Sequence, residues 1–236
     1  MGFLQLFDEF YTDSEPTGAP AVGDIYWAPV PEVNEVPRIL DVLRADPEEH
    51  SATSFEIVDI KREHFSQRDR LPIKRLNLGE TEELIIAKGK KRPVLVLSRN
   101  VVPDITSLPR GSQRRMAQSV GRESYLVAPF YSVSLPPHRT TMFGPVLVAR
   151  IRALRYVHLA CLPARGKPGV PDSIVRLDRV FPCYLSRGCE KSGDRLADEP
   201  LEIIQAQLAL LTGGTNTEPY NLAKELVADT LPEELA

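Results

Sequence analysis

The clearest hydrophobic run of the chain is Val94 to Leu97, and it comes one residue after a stretch with four cations in five residues, Lys88 to Arg92. Pro93 lies between the two and has no N–H to give to a sheet, so we expect it at the first residue or the edge of a strand. Proline also favours an extended Arg92, which aims the guanidinium off the strand's entrance. The pattern indicates either a phosphate-binding arginine or a solvated basic turn before a core strand.

Short β-rich segments separated by irregular loops recur along the rest of the chain. The segments predicted as strands are 23–28, 55–60 with 73–78 as its partner, 124–134, 146–162 and 173–181. Pro129 is expected to mark a bulge or an edge of its strand. Arg150 and Arg152 lie two residues apart, so they would share one face of the strand over 146–162.

Three segments carry apolar residues at helical spacing. Residues 38–44, which follow Pro37, suit one or two helical turns. The strongest pattern spans 200–211 and stops at Gly213, and a second amphipathic helix is predicted over 221–230. The 200–211 helix is expected to pack on the sheet through Ile203, Ile204, Leu208 and Leu211.

Composition places the chain among globular proteins, with 236 residues, 42% hydrophobic and 26% charged. It contains no long apolar segment, and its first residues lack the basic start of a secretory signal. Three cysteines without metal-ligand spacing predict free thiols in a reduced, cytoplasmic setting. No cofactor and no metal site are expected.

The net charge of −3 conceals a strong asymmetry along the chain. Residues 1–60 hold 2 Lys or Arg against 13 Asp or Glu, whereas residues 88–191 hold 19 against 5. Residues 192–236 are acidic again, with 2 against 9. A basic centre between acidic flanks indicates a polyanionic partner, or flanks that neutralise the centre within one fold.

Short strands closed by one strong helix suggest a small β-barrel with a helix across it, an α+β fold that is mainly β. With these pieces in order, the chain resembles the MazF/PemK family of toxin-type endoribonucleases, which have an SH3-like barrel. The matching pieces cover somewhat under half of the chain and stand at 23–27, 92–98, 127–132, 172–178 and 200–211.

The resemblance implies a domain division and a set of catalytic positions. Residues 1–22 would be an arm with docking aromatics, 23–214 the barrel domain with an insertion at about 32–87, and 215–236 a helical tail. The family's catalytic arginine corresponds to Arg92, and its threonine falls on Tyr131, with Ser132 beside it. The acidic residue that the family places a few positions before the arginine is missing.

Metal-independent RNA cleavage requires a group that neutralises phosphate charge and a group that moves a proton. Arg92 suits the first role, and Tyr131, Ser132 or His138 could take the second. His50, His64 and His158 have no helpful neighbours in the sequence. Tyr125, Phe130 and Tyr131 could stack RNA bases or simply belong to the core. The residues predicted to bind RNA are Lys90, Lys91, Arg114, Arg115, His138 and Arg139.

Three hypotheses follow for function. The chain is a metal-independent endoribonuclease acting on single-stranded RNA, a non-catalytic nucleic-acid-binding barrel, or a protein-interaction module whose groove takes an acidic, antitoxin-like partner. The resemblance also implies a homodimer, and no membrane association is expected. The charge asymmetry further predicts that the acidic N-terminal region competes with RNA for the basic centre.

Overall fold

The computed structural model divides into two compact units, Met1–Pro29 with Lys91–Ala236 and Val30–Lys90. The fold is α+β, with a curled antiparallel sheet in the first unit. The residues that the structure describes are 2–32, 36–44, 46, 48–49, 53–66, 76, 78, 81–100, 106, 109–111, 123–133, 143–165, 171–186 and 188–228. The predicted partner strand at 73–78 lies almost wholly outside them.

The large sheet contains eight strands in the order β1-β11-β2-β6-β7-β9-β8, with β10 also paired to β7. The strands expected to begin near Gly23, Arg92, Ser124 and Ser173 therefore share one sheet, as predicted. The strands are β1 (Tyr11–Asp13), β2 (Asp24–Pro31), β6 (Gly89–Asn100), β7 (Ser124–Ser132), β8 (Leu159–Leu162), β9 (Ser173–Arg176), β10 (Phe181–Cys183) and β11 (Glu190–Leu196).

Among the described residues, this sheet is accompanied by the helices α1 (Pro145–Arg152), α2 (Asp198–Leu211) and α3 (Glu218–Ala228). The helices predicted over 200–211 and 221–230 correspond to α2 and α3. Residues 146–152, in contrast, are helical and not part of a strand, because Pro145 supplies a favourable first helical residue. Arg150 and Arg152 therefore do not share a face, and the strand begins only at Leu159.

Both prolines of the central strands occupy positions that the prediction did not anticipate. Pro93 lies inside β6, yet the ladder to β7 begins only at Val94, so that ladder does not need the missing N–H. Pro129 is buried in β7, which is not an edge strand. It lies where β7 changes partner, because β10 pairs with 125–127 and β9 with 130–132.

The core of the first unit lies between the sheet and α2. Ile203 and Ile204 of α2 are buried in one cluster with strand residues, and Leu208 packs against that cluster. Leu211 is instead 38% exposed, so its predicted packing is wrong. The N-terminal aromatics join the same core through Phe3 and Phe10, which are both buried.

A second apolar cluster places α1 against the opposite face of β8 and β9. Val148 and Ile151 of α1 contact this cluster together with Cys161 and Ile174. Val175, the next residue of β9, belongs to the α2 cluster instead. Adjacent residues of β9 thus face opposite layers, as the two-residue period of a strand requires.

The second unit contains β3 (Arg38–Arg44), β4 (Thr53–Asp59) and β5 (Ile85–Ile86) in the order β4-β3-β5. The strand predicted at 55–60 is confirmed by β4. Residues 38–44 form a strand and not the predicted helical turns, since all seven pair with β4. A seven-residue helix is marginal by itself, so strand pairing decides the conformation.

Candidate functional site

Three neighbouring strands bring Arg92, Tyr131 and Arg176 to one face of the sheet. The antiparallel register that pairs Val94 with Pro129 places Arg92 alongside Tyr131 two residues further on. Tyr131 pairs with Ile174 of β9, and Arg176 follows Ile174 by two residues on the same face. Residues 39 and 45 positions apart in the sequence therefore meet because of strand order alone.

Two guanidinium groups lie against the ring of Tyr131. The central guanidinium carbon of Arg92 is 4.7 Å from the ring centroid, and that of Arg176 is 5.9 Å away. Both distances fall in the range of attractive cation–π contacts. Arg92 and Tyr131 are half-buried, so this contact is reachable from solvent.

Asp178 holds the second of these arginines in place. Arg176 donates from Nε to Oδ1 of Asp178 at 2.9 Å and from a terminal nitrogen to Oδ2, so the pair is bidentate. Nε of Arg179 lies 3.6 Å from Oδ2 of the same carboxylate. Because two parallel hydrogen bonds fix the plane of the guanidinium, the ion pair keeps Arg176 oriented across the ring of Tyr131.

The pKa values of this pair follow from that contact. Burial by itself would raise the pKa of Asp178, but the hydrogen bond and charge of Arg176 outweigh it and hold the pKa below its usual value. The hydrogen bond to Asp178 in turn raises the pKa of Arg176. Both groups therefore remain charged over the physiological range.

His158 lies beside this pair, although nothing in the sequence around it pointed to a role. Its carbonyl oxygen accepts a hydrogen bond from the backbone N–H of Leu177 at 2.9 Å, next to Asp178. Its charge adds to the lowering of the pKa of Asp178. The adjacent sequence offers His158 no helpful neighbour, as expected, but the fold brings Leu177 and Asp178 beside it from the segment that follows β9.

We refer to Arg92, Tyr131, Arg176, Asp178 and Arg179 as the arginine–tyrosine cluster. It contains three guanidinium groups and one carboxylate, so it carries an excess of positive charge. The two arginines on Tyr131 present planar donor groups, which match the oxygens of a phosphate. The arrangement can bind an anion and stabilise negative charge that develops on it.

An ion pair with Asp172 or Asp178 would have given Arg92 a role in stabilising the fold, but both carboxylates contact other groups. Asp178 binds Arg176 and Arg179. Asp172 accepts a hydrogen bond from the backbone N–H of Ala164 at 2.7 Å. Ser132, the other predicted catalytic hydroxyl, follows Tyr131 directly in β7 and pairs with Ser173, so its side chain points to the opposite face.

The predicted RNA-binding cations have different surroundings. Lys91 forms an ion pair with Glu190 at 2.8 Å, and its hydrogen bond lowers the pKa of that carboxyl. Lys90 lies 3.8 Å from Glu32 within the second unit. The remaining predicted cations, Arg114, Arg115, His138 and Arg139, lie outside the described residues.

Part of the acidic flank neutralises the basic centre inside the first unit. Asp24 and Lys191 form a buried ion pair at 2.9 Å, with side chains 1% and 6% exposed. Arg165 forms ion pairs with Asp13 of β1 and with Asp194 of β11. These contacts tie the N-terminal residues to the sheet and account for some of the charge asymmetry.

No family model matches the chain, and no curated protein matches it. Among the described residues, no helix is both long and apolar enough to cross a bilayer. The same residues contain no group of three or more His, Cys, Asp or Glu side chains placed to share a metal ion.

Proposed function

We propose that the chain is a MazF/PemK-like protein with an SH3-like barrel, and that it cleaves single-stranded RNA at the arginine–tyrosine cluster. The observation that carries this proposal is the position of the Arg92 and Arg176 guanidiniums, 4.7 and 5.9 Å from the Tyr131 ring centroid. The ordered sequence resemblance and the curled sheet with α2 packed on it support the family assignment.

The proposed reaction uses the RNA's own 2′-hydroxyl as the nucleophile. The 2′-oxygen attacks the adjacent phosphorus while its proton passes to a base, and the bond from phosphorus to the 5′-oxygen breaks. The leaving 5′-oxygen takes a proton, so the products are a 2′,3′-cyclic phosphate and a 5′-hydroxyl end. Arg92 and Arg176 bind the phosphate oxygens and stabilise the charge that builds up on them.

Two groups of the site are suited to proton transfer. The Tyr131 hydroxyl stands at the family's threonine position, on a ring held against Arg92 and Arg176. His158 lies beside Asp178, and an imidazole is the side chain that most often transfers protons in catalysis. Asp178 keeps its negative charge and acts by positioning Arg176.

A second function, binding of RNA without cleavage, is favoured by the same tyrosine. A phenol is longer than a threonine hydroxyl, and the Tyr131 ring is already engaged by Arg92 and Arg176. In that case the cluster would bind the phosphate backbone, or the acidic segment of an antitoxin-like protein. We further propose a homodimer, as the family resemblance implies.

The test is an incubation of the pure protein with labelled single-stranded RNA in excess EDTA. We expect fragments ending in a 2′,3′-cyclic phosphate, and none from the matched 2′-deoxy oligonucleotide, which lacks the nucleophile. Arg92→Ala should lower the rate by about 100-fold or more, as the loss of one charge-stabilising donor does, with little change in thermal stability. If the RNA stays intact under these conditions, metal-independent RNA cleavage is excluded as the function.

Two matched variants separate the roles within the site. Arg99→Ala removes an exposed arginine from the far end of the same strand, where it pairs with Glu123 at 2.8 Å, and should leave the rate unchanged. Tyr131→Phe keeps the ring and removes the hydroxyl. If that hydroxyl transfers a proton, the rate should fall by about 100-fold or more at unchanged RNA affinity. An equal loss for Arg99→Ala and Arg92→Ala would assign the effect to bulk charge.

A further inference from the structure

The loop between α1 and β8 carries two aromatic rings that meet at right angles. Tyr156 and His158 lie edge to face, with ring centroids 5.9 Å apart and ring planes at 71° to each other. A perpendicular pair of this kind forms a corner that a flat ligand can enter, with its face on one ring and its edge on the other. Both side chains are partly exposed, so solvent reaches them.

Strand pairing places this corner beside the arginine–tyrosine cluster. Leu159, the first residue of β8, lies opposite Arg176 of β9. The backbone N–H that follows Arg176 donates to the His158 carbonyl at 2.9 Å. Tyr156 and Tyr131 pack against the same apolar cluster between α1 and the sheet. Tyr156 therefore stands on the face of the sheet that carries Tyr131.

A buried glutamine of α2 fixes the loop that carries the two rings. The side chain of Gln207 is fully buried. Its amide nitrogen donates to the carbonyl of Tyr156 at 3.3 Å and to that of Leu159 at 3.2 Å. The two hydrogen bonds bracket His158 and hold the backbone on both sides of it. Gln207 thus positions the rings without touching solvent.

The start of the same loop is set by a strained residue. Leu154 follows α1 with a φ of 53°, the left-handed conformation that glycine usually adopts after a helix. Its N–H and that of Arg155 donate to Ile151 and Arg150 at 3.0 and 3.1 Å. The Leu154 side chain is buried in the α2 cluster, which offsets the strain. Strain of this kind is concentrated where the fold holds a segment in place for function.

We propose that Tyr156 and His158 bind one nucleobase of single-stranded RNA while the arginine–tyrosine cluster binds the adjacent phosphate. This inference rests on the proposed function and adds to it the part of the RNA, a base, that the site holds. The base stacks on Tyr156, and His158 borders its edge. Because each nucleotide carries its base next to its phosphate, neighbouring aromatic and cationic groups match a single nucleotide.

The experiment compares two hexamers that share a 2′-O-methyl sugar–phosphate backbone, which has no free 2′-hydroxyl and is not cut. One hexamer carries adenine bases, and the other is abasic. In fluorescence anisotropy we expect the full-length protein to bind the adenine hexamer about tenfold more tightly, as stacking on an aromatic ring provides. Tyr156→Leu should lose this preference at unchanged affinity for the abasic hexamer. Tyr156→Phe, which restores the ring, should recover it.

Three further variants separate stacking from charge and from general effects. Arg92→Ala should weaken both hexamers equally, because it removes a contact to phosphate. Gln207→Leu should reduce the preference for bases while the affinity for the abasic hexamer stays the same, as expected of a positioning residue. Tyr184→Leu changes a tyrosine of the turn between β10 and β11 that is 54% exposed, and it should alter neither affinity.

Equal affinity of the parent for the two hexamers, or an equal loss on both in Tyr156→Leu, would overturn the base site and leave phosphate binding by the cluster standing. Binding of neither hexamer would contradict the proposed function as well. Irradiation of the parent with a hexamer that contains 5-iodouracil covers the case in which Tyr156→Leu does not fold. Peptide masses should show a cross-link to Tyr156 or His158, and cross-links confined to other residues would overturn the base site.

Discussion

Asp178 shows how one carboxylate can set the chemistry of a basic surface. Its two oxygens bind Arg176, and Arg179 approaches the same group. Without this partner, Arg176 would have several rotamers of similar energy, and its position over Tyr131 would be lost. We therefore assign Asp178 a positioning role, and its ionisation becomes measurable in the stability of the fold.

The first prediction concerns acid stability. The pKa of Asp178 in the folded chain lies below that of an unfolded aspartate, about 3.9. Its ionised form therefore stabilises the fold above the unfolded value, and this contribution is lost as the pH falls through the folded pKa. We expect Asp178→Asn to lower the unfolding free energy at neutral pH by at most about 1 kcal/mol, because the ion pair is partly exposed.

Urea titrations from neutral to acidic pH measure this effect. The difference between the parent and Asp178→Asn should shrink as the pH drops and vanish below the folded pKa. Asp198→Asn is the control, since Asp198 lies 3.7 Å from Arg195 and its side chain is 93% exposed. A difference between parent and Asp178→Asn that stays constant with pH would show that the ion pair does not stabilise the fold.

At the scale of secondary-structure elements, the spacing of hydrophobic residues predicted those elements that bury one face and carry their signals in the local sequence. The helix over 198–211 has one apolar stripe and a proline in its first turn, and both signals are local. β11 was missed because Glu190–Leu196 contains few β-forming residues, and it is a strand only because β1 and β2 pair with it. The helix α1 was misread because its β-branched residues favour strands in isolation.

The residues of the candidate site also fall into those that the local sequence indicates and those that only the fold brings together. Arg92 was recognisable because a basic run, a proline and an apolar run are adjacent in sequence. Arg176 and His158 were not, because their contacts depend on the register of β7, β8 and β9. The only local signal was the spacing of Arg176 and Asp178, which places both side chains on one face of an extended segment.

The second prediction tests the contact between α2 and the sheet. Ile204 is fully buried in the main core cluster, so Ile204→Ala leaves a cavity and should lower the unfolding free energy by about 2–5 kcal/mol. Leu211→Ala, at the exposed end of the same helix, should change it by about 0.5 kcal/mol or less. Equal losses for the two variants in urea unfolding would contradict the packing described for α2.

At the scale of the whole molecule, ion pairs among the described residues neutralise part of the charge asymmetry. Asp13 and Asp24 pair with Arg165 and Lys191 inside the first unit. Most other acidic residues of the first sixty belong to the second unit, Val30–Lys90, which the chain connects directly to the basic strand β6. Such a connection keeps an acidic segment at a high effective concentration, on the order of millimolar, near the basic centre.

The last prediction is that the acidic residues of the second unit compete with RNA. Reversing the charge at Asp46, Glu48 and Glu49 should tighten the binding of single-stranded RNA at low salt, because it removes an intramolecular competitor for the same cations. Salt screens both attractions, so the gain should shrink as the ionic strength rises. Affinities measured by fluorescence anisotropy across a salt series give both quantities.

A variant with the same change in net charge separates competition from a general increase in positive charge. Glu199, Glu202 and Glu225 are exposed on α2 and α3, so their reversal alters the total charge equally without touching the second unit. Competition requires a larger gain for the Asp46, Glu48 and Glu49 variant than for this control. Equal gains for both variants would mean that RNA responds only to net charge, and that the acidic segment does not occupy the basic centre.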